Sequence, residues 1–402
     1  MGQGDGRHHV GRAVPQRKSG PGLPGWIAIA LAVLLVGGIL AAYTAYRDVF
    51  GEIHRVRVTG LGNRPVAYDR SLNILVIGSD TRSGGNAKFG AHIAGQRSDT
   101  VLVLHLSPGL RRAVVLSIPR DSVVPVLACP PAPGAPGQAA APGQIEQINA
   151  TFAAGGPGCL WKAIEQTTGI RLDHFIELNF TGFERVVNDL GGVSICLPYP
   201  INDPRSKLHL SAGIHHVMGP TALAYWRVRY IGEGSDLQRI QRDQYLMASV
   251  AQDVKRANLL MSPARVFKLV TDLAGALTTD AGLSQAAMIA LATALRSLPL
   301  SAVDFVQVPI VFYRPNPNWV QWSPSAQQLF RAVARDRKLP RARHRKPVAG
   351  QRRGHAAATP RTGMIDDRSS SLSTLPSRFG GITASANVCH DSTAFAGPLG
   401  GH

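Results

Sequence analysis

Residues 72–121 constrain the fold more than any other stretch. Three strand-forming runs follow one another there, with charged residues at every junction. Leu72–Gly78, Thr100–Leu106 and Arg111–Ile118 are rich in Val, Ile and Leu and are bounded by Gly, Pro, Ser or Asp, which is the pattern of sheet strands. Asp80 and Arg82 follow the first run, Arg97 and Asp99 precede the second, and Arg120 and Asp121 follow the third. Strand ends are where a sheet presents functional groups. Carboxylate oxygens are the ligands Mg²⁺ prefers, and guanidinium forks match phosphate oxygens bidentately. The clusters therefore point to a divalent metal and a phosphorylated ligand. Surface ion pairs at a sheet edge are the competing reading, and the recurrence of Asp/Arg pairs at three junctions weighs against it. There is no Walker loop and no G-x-G-x-x-G, so a nucleotide fold has no support.

The N-terminus bears on where this sheet would lie. Residues 1–25 are Gly-rich and basic and read as a disordered tail. Residues 26–46 then run without a charge as WIAIALAVLLVGGILAAYTAY. At ~1.5 Å per residue, a helix of this length reaches roughly 30 Å, one bilayer core. Basic residues precede it, and Trp26, Tyr43 and Tyr46 flank it as interfacial aromatics. The expectation is a single-pass protein of the cell membrane, with a cytoplasmic N-terminus and everything after Arg47 outside. A cleaved signal peptide ending near Leu40–Ala42 is the alternative.

The chain carries a net charge of +18 in 402 residues. Arg331 to Arg361 holds eleven Lys or Arg against one Asp and so supplies ten of that excess. A polyanion partner follows from the charge alone. An outside location for the basic tail argues against nucleic acid.

An outside location also permits disulfides. Cys129 and Cys159 bracket a Pro/Ala/Gly loop with no core-forming pattern. A disulfide would staple it, and two unpaired thiols are the other reading. Cys196 lies in a strand-like run and reads as a buried apolar residue.

Between Arg47 and Ser71 the sequence reads as a membrane-proximal linker. After the Pro-rich loop, a helix is expected over Cys159–Thr168, ended by Gly169. HFIELNF (174–180) reads as a strand, and Thr181 is placed to cap a helix carrying Phe183, Val186, Val187 and Leu190 on one stripe. GVSICLP (192–198) is expected to resume the sheet. Pro220 suits the first turn of a helix through Arg227. Asp236 is placed to cap a longer helix that buries Leu237, Ile240, Met247, Val250 and Val254. Arg227, Arg229, Arg239 and Arg242 thus flank one loop and one helix start, where amides and guanidiniums together would hold a phosphate or pyrophosphate. Solvated, helix-paired arginines are the alternative. The helices over 259–300 could pack as core or open an apolar groove for a lipid chain. AVDFVQVPI (302–310) reads as the last strand, and from about Lys338 the sequence reads as a disordered basic tail.

GSDTR (78–82), RSDT (97–100), SIPRDS (117–122), INATFAAGG (148–156), DHFIELNFTGF (173–183), DLGGVSICLP (189–198) and ALAYWRVR…DLQRIQRDQ (222–244) occur in order. Together they resemble the LytR–CpsA–Psr family of bacterial cell-envelope enzymes over about residues 72–330, and the Cys129/Cys159 pair is similar to the actinobacterial branch. The resemblance implies an α/β fold, an α-β-α sandwich around a central mixed sheet, as an extracytoplasmic domain over 72–335 with a tail over 336–402. It implies a Mg²⁺-dependent phosphotransferase, with Mn²⁺ able to substitute. Its substrates would be a glycopolymer on a polyprenyl (undecaprenyl-type) pyrophosphate carrier and peptidoglycan, joined by a phosphodiester. In that scheme Asp80 and Asp99 match the metal-associated carboxylates. Arg120, Arg227, Arg229 and Arg239 match the arginines on the pyrophosphate, with Arg82, Arg97 and Arg242 added to the binding set. Asp99 or Asp121 would serve as base beside Arg120. Three positions depart from the family pattern: Asp243 and Gln238, where Gln and Gly are usual, and Gln147, where Lys is frequent. A non-catalytic polyprenyl-pyrophosphate-binding envelope protein or regulator is the alternative function.

Overall fold

The computed structural model describes residues 53–80, 98–125, 128–129, 145–197, 199–228, 236–257, 263–316, 318–339 and 381–384, together with 31, 34–40 and 44. Residues 1–51 and 52–402 form two compact units. In the first, residues 34–40 are helical, and Leu34, Leu35, Val36, Ile39 and Leu40 are exposed. No helix among the described residues is long and apolar enough to cross a membrane, and most of the expected span over 26–46 lies outside them.

The second unit is built on one eight-stranded mixed sheet. Its strands are β1 (His54–Val56), β2 (Leu72–Ser79), β3 (Ser98–Leu106), β4 (Ala113–Ile118), β5 (His174–Asn179), β6 (Leu277–Asp280), β7 (Val303–Gln307) and β8 (Gly381–Thr383). Their order across the sheet is β1-β6-β5-β2-β3-β4-β7-β8. β2, β3 and β4 form an antiparallel meander. β5 runs parallel to β2, and β7 parallel to β4. The C-terminal ends of β2, β4, β5 and β7 therefore share one end of the sheet with the start of β3. Asp80, Asp99 and Arg120 all fall at that end.

The helices are α1 (Ile148–Thr168), α2 (Phe180–Asp189), α3 (Gly219–Arg227), α4 (Asp236–Arg256), α5 (Pro263–Leu273), α6 (Gln285–Leu295) and α7 (Pro324–Ala334). Strand alternation sends one set of side chains to each face of the sheet. Leu75, Ile77, Val103 and Leu116 pack with Phe152, Leu160 and Ile164 of α1 and Leu329 and Phe330 of α7. Val115 and Phe305 turn to the opposite face, against Ala248 of α4. Phe183, Val187, Leu223 and Leu246 join α2, α3 and α4 into a second cluster. Each such side chain contributes about 1.5–3 kcal/mol of transfer free energy, so the layers hold the site end rigid from both faces.

Several local expectations differ from the fold. The linker over 47–71 contains β1, and its Arg64 is paired at 2.7 Å with Glu165, which is 1% exposed. The helix expected from Cys159 starts at Ile148 and runs through Pro157, with Gly156 at a positive φ. Asn179, not Thr181, caps α2 by accepting from the Gly182 amide. Val193–Leu197 pairs with Gly213–Val217 in a separate ladder rather than rejoining the sheet. α4 buries Tyr245, Leu246 and Ala248, while Met247 and Val250 are half-buried. The domain extends past 335, because Asp336 is bonded by Ser107 and Arg112. The tail is not structureless throughout: β8 extends the sheet, and its follower Ala384 is fully buried. Cys129 and Cys159 are joined, as the loop composition allowed. Cys196 is half-buried and disulfide-bonded rather than a buried apolar residue.

Candidate active site

The site forms where β4 ends. Residues 119–122 make a tight turn, with the Ser122 amide donating to Pro119 O at 3.0 Å. The first amides of α1 hold this turn from behind: Ile148 N donates to Ser122 O at 2.8 Å and Asn149 N to Arg120 O at 3.2 Å. Helix-terminal amides lack intrahelical partners, so docking α1 on the turn satisfies them and fixes the Arg120 backbone at once.

Arg120 then reaches across to β3. Its Nη1 lies 2.5 Å from Asp99 Oδ1, and its Nε lies 3.4 Å from Asp121 Oδ2. These three side chains are 18–19% exposed. Partial burial raises the strength of the charge interactions relative to water. Gln147, just before α1, donates from Nε2 to Asp121 Oδ1 at 2.7 Å.

Asp99 owes its position to a break in register. Gly78 pairs with Thr100 and Ser79 with Ser98, so Asp99 is the extra residue of a bulge between them. Bulges re-aim side chains at sheet ends. Asp80 directly follows the same paired segment of β2. Gly78 is needed for close packing here: a Cβ would stand 3.1 Å from the Thr100 Cβ and 3.3 Å from the Trp226 ring.

Asp99 borders two small cavities. One, of about 40 Å³, is lined by Asp99, Arg120, Asp243, Gln244, Met247 and Phe305, between the sheet and α4. The other, of about 10 Å³, is lined by Gly78, Asp99, Leu178, Phe180, Trp226 and Arg227. Arg227, the last residue of α3, holds its guanidinium 5.2 Å from the Phe180 ring centroid, a cation–π distance. Arg227 is thereby brought to the Asp99 side of the site.

The other expected arginines divide. Arg82, Arg97 and Arg229 lie outside the described residues, as does the side chain of Arg239 on α4. Arg242 is 6% exposed and donates from Nη2 to Val228 O at 2.7 Å. That bond ties α4 to the end of α3. Asp243 is half-buried at the cavity wall.

Two buried groups beneath the site carried no sequence signal. Glu177, on β5 opposite Ile77, has its carboxyl pushed up by burial, partly offset by a hydrogen bond with Ser79. Burial pushes the Tyr225 phenol up to about 12. Gln147 is marked in the sequence only as a departure from a motif, Phe180 only as the end of a strand-like run, and Trp226 only as part of a short helix. The approach of Phe180 and Trp226 to Asp99 depends on pairing between β2 and β5, which sequence spacing does not display.

The donor set suits a hard cation, because the groups near Arg120 are carboxylate oxygens. Among the described residues, no group of three or more His, Cys, Asp or Glu is placed to hold a metal alone.

Comparison with known proteins agrees with this architecture. The LytR_cpsA_psr family model matches residues 51–337. The chain is 33% identical over 267 residues to a Corynebacterium glutamicum protein named "Probable cell wall biosynthesis protein LcpB", covering 65% of this chain and 59% of that one. It is 27% identical over 233 residues to the Bacillus cereus polyisoprenyl-teichoic acid–peptidoglycan teichoic acid transferase TagU, covering 56% of this chain and 69% of that protein. It spans less than two thirds of the length of the Corynebacterium relative. Among solved structures, the LytR-Csp2A-Psr enzyme from Actinomyces oris shares the fold, with a TM-score of 0.52 and 21% identity over 70% of this chain and 96% of that one. The family match runs from just before β1 to just past α7 and encloses every strand that meets at Arg120. The chain belongs to the LytR–CpsA–Psr family.

Proposed function

We propose that this chain is a membrane-anchored phosphotransferase of the cell envelope, with its N-terminus cytoplasmic and its catalytic domain outside. It moves a glycopolymer from a polyprenyl pyrophosphate carrier to a hydroxyl of peptidoglycan. The observation that carries this reading is the convergence of Arg120, Asp99, Asp121 and Arg227 at one sheet end, beside a cavity walled by Met247 and Phe305. The relatives named above as wall-biosynthesis proteins and as a teichoic acid–peptidoglycan transferase support it. The exposed apolar helical residues 34–40 suit the anchor.

Phosphoryl transfer needs positioning and charge neutralisation more than covalent chemistry. Arg120 and Arg227 would bind the pyrophosphate oxygens from two sides. Asp99, with Asp80 on the adjoining strand, would hold Mg²⁺ together with those oxygens. When bound, Mg²⁺ supplies charge neutralisation on the phosphoryl group. The acceptor hydroxyl oxygen attacks the phosphorus that carries the glycopolymer, and the bond from that phosphorus to the bridging oxygen breaks. Polyprenyl phosphate leaves. Asp121, oriented by Gln147, takes the hydroxyl proton. Asp99 is the less suited base, because it is assigned with Asp80 to the metal.

The test is turnover of a polyprenyl-pyrophosphate-linked saccharide by the full-length chain, with and without Mg²⁺. Transfer should require Mg²⁺ and be lost in Asp99→Ala and Arg120→Ala. Near wild-type turnover in both variants would place the chemistry elsewhere. One observation favours a second reading, a non-catalytic carrier-binding protein. Asp243 sets a carboxylate on the wall of the cavity that Asp99 and Arg120 share. Asp243→Gln should raise turnover from a low level if that charge is the handicap.

A further inference from the structure

A β-hairpin beyond β7 stands next to Asp121 and has no part in the chemistry above. Its strands are Ile310–Phe312 and Val320–Trp322. The Val320 amide donates to Asp121 O at 3.1 Å, and Trp322 Nε1 donates to Ser122 Oγ at 3.0 Å. Any shift of the hairpin therefore moves the backbone of the proposed base.

The hairpin tip is built around aromatic rings. Tyr313 and Trp319 lie nearly parallel, 19° apart, with centroids separated by 6.1 Å. Rings that far apart are displaced rather than fully overlapped, so each leaves part of its face to another partner. Phe312 beside them is 69% exposed, and Val311 is 44% exposed. The loop is tightly bonded: Asn316 N to Tyr313 O, Trp319 N to Asn316 O and Tyr313 N to Trp319 O are each 3.0 Å. Pro315 stiffens it further. A rigid, partly open aromatic surface binds at low entropic cost.

Its side of the sheet identifies the occupant. Trp322 packs on Phe330 of α7, with centroids 4.8 Å apart. The cavity beside Arg120 opens instead on the α4 face, at Gln244 and Met247. The Arg120–Asp121 junction thus lies between the cavity and the hairpin. If the donor approaches from the α4 side, the acceptor must come from the other, because displacement at phosphorus is in line. Aromatic faces pair with the C–H faces of pyranose rings, and the exposed Arg314 and Asn318 add polar contacts for hydroxyl and acetamido groups.

We propose that the Tyr313–Trp319 hairpin, with Phe312, is the platform that seats the acceptor glycan, an N-acetylhexosamine chain, against Asp121. This rests on the phosphotransferase reading, and its test separates the two. Full-length protein in detergent is titrated with N-acetylglucosamine tetramer and with purified peptidoglycan fragments, without donor. Trp319→Ala and Tyr313→Ala should weaken binding about tenfold or more, as loss of an anchoring ring does. Trp319→Tyr should keep most of it. Phe312→Ser, at an exposed position, should weaken it without lowering the melting temperature. A parallel arm reconstitutes the full chain in brominated phosphatidylcholine vesicles. Quenching that is clearly weaker in Trp319→Ala than in wild type, beyond the constant contribution of Trp26, would assign the hairpin to the membrane and overturn the proposal, as would unchanged glycan affinity in Trp319→Ala and Phe312→Ser. Glycan binding that depends on Trp319, in a protein without turnover, would keep the platform and remove the transferase.

Discussion

Arg120 on the turn after β4 meets Asp99 on the β3 bulge with 2.5 Å between Nη1 and Oδ1. This contact joins residues that are 21 positions apart in sequence, and it holds the guanidinium facing the cavity before any phosphate arrives. Preorganised donors of this kind typically contribute about 2.7–4 kcal/mol to a transition state. Arg120→Ala should therefore lower kcat by about 10²–10³. Arg120→Lys should recover little, since an ammonium cannot bridge Asp99, Asp121 and phosphate as a planar fork does. Steady-state kinetics of the three proteins checks this.

Asp99 should act on metal dependence more than on stability. It occupies a bulge rather than a paired strand position, and Asn keeps an acceptor for Arg120, so Asp99→Asn should cost about 1 kcal/mol and lower the melting temperature by no more than about 2–4 °C. The same variant should shift the Mg²⁺ concentration for half-maximal turnover upward. A variant with unchanged Mg²⁺ response would assign the metal to other oxygens.

The Cys129–Cys159 bond closes a sequence separation of 30. On the chain-entropy estimate, a loop of that size is worth about 3–4 kcal/mol. Cys129→Ser with Cys159→Ser should lower unfolding free energy by about that amount in denaturant titration, with turnover at 25 °C retained. The bond lies on the α1 side, and neither cysteine lines the two cavities beside Asp99.

Stability should fall in acid for a stated reason. Burial pushes the Asp336 carboxyl up, but hydrogen bonds from Ser107, His105 and Arg112 outweigh it and hold it below its ordinary range. Asp280 is likewise pushed up by burial and then held low by His174 and by the amides of Phe175 and Gly282. A carboxylate depressed in the folded state adds stability that is complete above its unfolded pKa of about 3.9 and is lost as pH falls through the folded value. Melting temperature should thus drop steeply below about pH 4. Asp336→Asn should lower it at neutral pH and flatten the acid limb. An acid limb as steep as wild type in that variant would assign it to other groups.

The local content of this fold was legible in the sequence. Apolar runs marked β2, β3 and β4, Gly169 marked the end of α1, and Asp80, Asp99, Arg120 and Asp121 stood out at strand ends. A coreless loop between two cysteines marked the disulfide. Each of these rests on a few neighbouring residues, where hydrophobic period and turn chemistry act directly.

What only the tertiary structure decided is which strands become neighbours. β5 lies beside β2 although about a hundred residues separate them, and that pairing sets Phe180 and Leu178 beside Asp99. Val193–Leu197 has the composition of a sheet strand yet pairs with Gly213–Val217 outside the sheet. Gly381–Thr383 is too short to show a strand's alternation but is placed at the sheet edge by β7. The bulge that aims Asp99, the Gln147 bond to Asp121 and the hairpin docked on Asp121 all arise the same way. Such contacts depend on backbone partners and packed faces supplied from far along the chain, so their energies belong to pairs of segments and to neither segment alone.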